Sequence, residues 1–94
     1  MRRLVWEASF RKAFKRATRR APGLSGKVFE TLRRLTESPS DPVLKTHKLS
    51  GRLSGLWACW VEYDCRIIFA LKHDPVGGGQ LILLVDIGTH DEVY

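Results

Sequence analysis

Apolar and polar positions change rhythm along this chain, and each change predicts an element. Leu4, Val5 and Trp6 form a brief apolar run, so Arg2 to Trp6 reads as an opening strand. From Ala8 to Arg20, Phe10, Ala13, Phe14 and Ala17 fall at i, i+3, i+4 and i+7. That spacing is one stripe of an amphipathic helix, with Arg and Lys on the rest of its circumference. Ser9 stands where a cap for this helix is expected. Pro22-Gly23 breaks the chain, and a second helix is predicted from Leu24 to Glu37. Its buried stripe is Leu24, Val28, Leu32 and Leu35, widened by Phe29. It ends at Ser38-Pro39, because the residue before proline avoids the helical region.

Ser38 to Leu49 has two prolines and no periodicity, and is expected to be a loop. The period then becomes two. Leu56 to Glu62 and Cys65 to Lys72 read as strands joined by a tight turn at Tyr63-Asp64. His73 to Gly79, with Asp74-Pro75 and three glycines, is a flexible connection. Gln80 to Ile87 is almost wholly apolar and is expected to be a central strand, after which Gly88-Thr89 releases a short tail, His90 to Tyr94. The predicted order is β-α-α-β-β-β in one domain over residues 1–94. The expected class is α+β, with two helices packed on one face of a small twisted, largely antiparallel sheet. The opposite face has few elements left to cover it.

Composition fits this picture. At 94 residues and 44% hydrophobic, the chain can build one core and is too apolar to remain disordered. No apolar run approaches the roughly 20 residues of a membrane span, so no membrane partner is expected. The start lacks a signal-peptide pattern and there are only two cysteines, so the expected setting is the cytoplasm with free thiols. Charge is more informative. Up to Arg34 there are eleven basic residues against Glu7 and Glu30, a net of +9, whereas the remainder is net −3. Such a concentrated positive field draws polyanions or acidic protein segments. On the first helix it is carried by Arg11, Lys12, Lys15, Arg16, Arg19 and Arg20.

The candidate chemistry is narrow. Cys59 and Cys65 lack metal-ligand spacing, no histidines stand at i, i+4, and Gly77-Gly78-Gly79 precedes a strand, so no metal, cofactor or phosphate-cradling loop is expected. Polar residues remain at strand ends and loops: His47 among Lys45, Thr46 and Lys48; Asp64 and Arg66 flanking the hairpin turn; His90 after the last strand; Tyr94 at the end. Two histidines, an arginine and a tyrosine suit metal-free RNA cleavage by the adjacent 2′-OH. That reaction needs a base, an acid and a cation for the phosphorane. Trp57 and Trp60 fall on opposite faces of one strand, one for the core and one able to stack on a base.

Three segments carry a family resemblance. They are Leu44-Lys45-Thr46-His47-Lys48-Leu49-Ser50-Gly51, then Val61-Glu62-Tyr63-Asp64-Cys65-Arg66-Ile67-Ile68-Phe69, and finally Asp86-Ile87-Gly88-Thr89-His90. The sequence resembles the RelE/ParE toxin superfamily, and within it the YafQ-like mRNA interferases. The resemblance implies a bacterial toxin that cuts mRNA on the ribosome and is neutralised by a co-encoded, acidic antitoxin. It implies His47 and His90 as active-site residues, Asp64 as the family aspartate, Tyr94 as the C-terminal aromatic and Arg66 as the transition-state cation. Lys45, Lys48 and Trp60 would hold substrate, and the basic first helix would contact ribosomal RNA. YafQ-like proteins carry a further histidine where this chain has Trp60. A ParE-like inhibitor of DNA gyrase and a non-enzymatic RNA-binding module are the alternatives.

Overall fold

The computed structural model describes residues 2–94. β1 (Arg3–Trp6) leads into α1 (Ala8–Arg20) and α2 (Leu24–Glu37). After a 3₁₀ turn at Pro42–Leu44 come β2 (His47–Lys48), a second 3₁₀ turn at Gly51–Leu53, β3 (Trp57–Glu62), β4 (Cys65–His73), β5 (Gln80–Gly88) and α3 (His90–Val93). The five strands form one sheet in the order β1-β5-β4-β3-β2, antiparallel except for the parallel β1–β5 pair. The predicted α+β arrangement holds, with both long helices on one face.

That face holds the main core. Phe10, Ala13 and Ala17 of α1 and Val28, Leu32 and Leu35 of α2 pack against Cys59, Ile67, Phe69, Ile82, Leu84 and Ile87. Strand alternation explains the choice, since side chains of one parity share a face. Phe29 does not widen the buried stripe as expected. It is 55% exposed, beside the rings of Trp6 and Phe14. The opposite face has only a small second core of Ala58, Ile68 and Val93, with Leu49, Leu56 and Val85 at its margin.

Three local expectations are corrected. The 38–49 stretch is not all loop: His47 and Lys48 pair with Ala58 and Trp57 as an edge strand. The tail is a helix, α3, fixed by a capping box in which the Thr89 hydroxyl accepts from the Glu92 N–H (3.2 Å) and the Glu92 carboxylate accepts from the Thr89 N–H (2.9 Å). Ser9 does not cap α1. Glu7 holds that position, and the Ser9 hydroxyl donates to the Val85 carbonyl at 2.6 Å, tying α1 to β5.

The β4–β5 connection is ordered around one carboxylate. Asp74 accepts from Arg3 Nε and Nη2, both at 3.1 Å, and from the backbone N–H groups of Val76 and Gly77. The Arg3 hydrogen bonds, then the backbone donors, hold its carboxyl well below the usual carboxylate range.

Candidate active site on the open sheet face

The register brings the predicted residues together. Directly paired residues share a face, so His47, Ala58, Ile68 and Asp86 make one row across β2, β3, β4 and β5. Trp60, Arg66 and Gly88 make a second row one step along. With strands about 4.8 Å apart and same-face residues about 7 Å apart, the Cα atoms of His47 and Arg66 stand about 12 Å from each other, within joint side-chain reach of one phosphodiester. Val93 packs on Ala58 and Ile68, so α3 folds over this floor and carries His90 and Tyr94 to the same side. Their rings meet edge to face at 4.6 Å.

Gly88 permits that turn. A Cβ there would lie 2.9 Å from the Glu92 carboxylate and 3.1 Å from the Glu92 Cβ, so a side chain would crowd the capping carboxylate and press on the first turn of α3. Glu92 is also paired with Arg20 at 2.8 Å, which ties the basic helix to the element bearing His90.

Arg66 is only 8% exposed yet has no carboxylate partner among the described residues. Its Nη1 faces three carbonyls of the β3–β4 hairpin: Glu62 (2.9 Å), Tyr63 (2.8 Å) and Cys65 (3.2 Å). Nε and Nη2 make no hydrogen bond among the described residues, leaving one edge of the guanidinium for an anion. A β3 bulge between Trp60 and Glu62 adds a residue beside this hairpin.

His47 is exposed, and its Nδ1 lies 3.0 Å from the Lys45 carbonyl. A carbonyl only accepts, so Nδ1–H donates here, and in the neutral ring this tautomer leaves the Nε2 lone pair free. Lys45 adopts the left-handed region at φ 49°, an uncommon conformation for a residue with a side chain, and so aims its carbonyl at the imidazole. On His90, Nδ1 is 3.5 Å from Asp91 Oδ1 and the ring is largely exposed. Burial pushes the Tyr94 phenol up, against the opposing influence of the Arg66 charge, so the phenol keeps its proton as a donor.

Not every predicted residue joins the basin. Asp64 is exposed at the hairpin turn and borders a depression between Ala17, Arg20 and Leu24 of the helices and Gly88, Thr89 and Glu92 at the start of α3. Lys48 lies near Trp57, its Nζ 5.4 Å from the ring, while Lys45 Nζ sits 3.8 Å from the Trp60 centroid. Trp57 packs against the main core, and Trp60 stands in the Arg66 row at the sheet margin, where it also borders a groove with Lys27, Thr31, Val43 and Leu44. The predicted α1 cations are all exposed on the far layer, and of them only Arg20 is ion-paired among the described residues. Sequence reasoning missed Asp86, which sits in the His47 row. Burial raises its carboxyl. The signal was present, an acid interrupting the apolar run of β5.

A small sheet with two helices on one face and a basic, histidine-bearing basin on the other is the RelE-like architecture. Solved structures share it. The YafQ chain of the Escherichia coli DinJ-YafQ toxin-antitoxin complex is 23% identical over 99% of this chain and 97% of its own, with TM-score 0.76. A conserved hypothetical protein from Helicobacter pylori is 25% identical over 100% of both chains, with TM-score 0.74. A YoeB/ParE toxin from Agrobacterium tumefaciens is 19% identical over 94% of this chain and 98% of its own, with TM-score 0.76. No curated protein sequence matches the chain. The family model for the YafQ bacterial toxin of type II toxin-antitoxin systems matches residues 2–94, and the chain belongs to that family.

Proposed function

We propose that this toxin is a ribosome-dependent endoribonuclease that cleaves mRNA by attack of a 2′-OH on the adjacent phosphate. The observation that supports this reading is the shared sheet face: His47 and Arg66 stand in neighbouring rows, α3 packs on the same face through Val93 and bears His90 beside Tyr94, and Arg66 Nε and Nη2 make no hydrogen bond among the described residues. His47 Nε2 takes the 2′-OH proton as the new P–O2′ bond forms. The P–O5′ bond breaks, His90 returns a proton to O5′, and the products are a 2′,3′-cyclic phosphate and a 5′-OH. Arg66 Nε and Nη2 bind the pentacoordinate phosphorane, whose added charge makes them more effective there than in the ground state. Lys45 attracts a flanking phosphate, Lys48 adds positive charge from the sheet edge without facing the site, and Tyr94, 38% exposed, offers a stacking edge. No step requires a metal.

The unpaired cations of α1 point away from the core, across roughly half the helix circumference, and suit ribosomal RNA. An acidic antitoxin is the expected protein partner, as DinJ is found with YafQ in the Escherichia coli complex. The test is incubation of the purified protein with translating ribosomes, followed by mapping of mRNA 5′ ends. New 5′-OH ends that vanish with Arg66→Ala support the reading. Intact mRNA together with inhibited gyrase supercoiling overturns it in favour of a non-nuclease toxin.

A further inference from the structure

Where the resemblance leads one to expect a third histidine, this chain has Trp60, and its ring is fully engaged. Arg66 Cζ lies 4.1 Å from the ring centroid and Lys45 Nζ lies 3.8 Å from it. β3 runs between β2 and β4, Lys45 lies two residues before β2, and Arg66 stands on β4. Both cations lie close to the same centroid, and two like charges would repel strongly on one ring face, so they take opposite faces of the indole. Both distances are well inside the about 6 Å reach of a cation–π contact.

We infer that Trp60 is a positioning residue, whose indole clamps the Arg66 guanidinium so that its free edge faces the scissile phosphate. The inference rests on the nuclease reading and assigns Trp60 a part that neither base stacking nor proton transfer describes. Hydrogen bonds from Nη1 to the hairpin carbonyls fix one corner of the guanidinium, but a planar group held at one corner can still swing about it. The indole face removes that freedom. What remains open is the edge bearing Nε and Nη2. Lys45 completes the arrangement from the other side: its backbone carbonyl holds His47 and its ammonium holds Trp60, so one residue sets both the base and the clamp. A nucleobase cannot stack on the Arg66 side of the ring without displacing a buried cation.

The test combines kinetics with NMR. In the wild type, ring current from Trp60 shifts the Arg66 δ-methylene and Nε–H protons upfield. That shift disappears in Trp60→Ala and persists in Lys45→Met. Trp60→Ala is expected to lower kcat by about 10- to 30-fold with KM changed less than about threefold, and Trp60→Phe to recover most of the loss. A raised KM with unchanged kcat in Trp60→Ala would mark a base platform and overturn the inference, as would unshifted Arg66 protons in the wild type. Upfield Arg66 protons in a protein that cuts no RNA would overturn the nuclease reading and leave the clamp standing.

Discussion

The two faces of the sheet are built from the same strands and do opposite work. On the helix side, Cys59, Ile67, Phe69, Ile82, Leu84 and Ile87 merge with two helices into a continuous apolar core. On the other side, three buried residues suffice as a floor, and the positions between them carry His47, Trp60, Arg66 and Asp86. Because strand side chains alternate, residues adjacent in sequence answer to different demands: Ile67 to packing, Arg66 to charge. On the proposed nuclease reading, stability and chemistry are separated here by strand parity, not by region of sequence.

The sharpest way to break that separation is to mutate both sides. Phe69→Ala, on the packed face, removes a fully buried ring and is expected to cost about 3–5 kcal/mol, a large share of the stability of so small a domain. Urea unfolding reads this directly. Arg66→Ala, one face over, should lower cleavage by about 10²- to 10³-fold while leaving the far-UV spectrum native. If Arg66→Ala unfolds the protein or Phe69→Ala leaves its stability intact, parity does not divide the two functions.

A third variant extends the contrast to the outer layer. Arg11, Lys15 and Arg19 changed together to Glu should weaken ribosome binding by at least tenfold at low salt, with a shallower salt dependence, and leave the melting temperature nearly unchanged. A binding assay across a potassium series checks both.

Smaller effects come from titration. Hydrogen bonds from Arg3 hold the folded Asp74 carboxyl below its unfolded range, so its stabilising contribution is present above about pH 4 and fades as pH falls from there. Asp74→Asn should therefore lower the melting temperature by about 5 °C at pH 7, with the gap to wild type closing in acid. The smallest signal is chemical. Burial pushes the Cys59 thiol to about 12 and the Cys65 thiol to about 11, so neither is a nucleophile at neutral pH. Because both values are raised, their contribution is intact below the unfolded thiol range and is lost as pH climbs through 11 and 12. Iodoacetamide at pH 8 should leave both cysteines unmodified until the protein is denatured.

Most of the fold was legible because long elements declare their period. The α1 and α2 stripes and the strands β3 to β5 each repeat their signal several times. β2 was invisible because two residues cannot show alternation, and its existence depends on pairing with Ala58 and Trp57. α3 was missed for a different reason. Thr89-His90-Asp91-Glu92 spells a capping box, but no apolar run follows it to draw attention. Within the site, residue types were readable and contacts were not. Arg66 looked like a lone cation at the start of an apolar strand, and its hairpin carbonyls and indole neighbour follow only from register. Asp64 is two residues from Arg66 in sequence, but the hairpin turn sets it by a depression with Arg20, Leu24 and Thr89, outside the Trp60–Arg66–Gly88 row, which proximity in sequence does not reveal.

The parallel β1–β5 pair also decides when this molecule comes into being. Arg3 aligns with Leu81 and Trp6 with Leu84, so the first strand made must wait for the last. A nascent chain lacks that partner until β5 has been made, and only then can the long-range contact complete the sheet. The element bearing His90 is made later still, so the open face cannot be complete until β5 and α3 have both emerged.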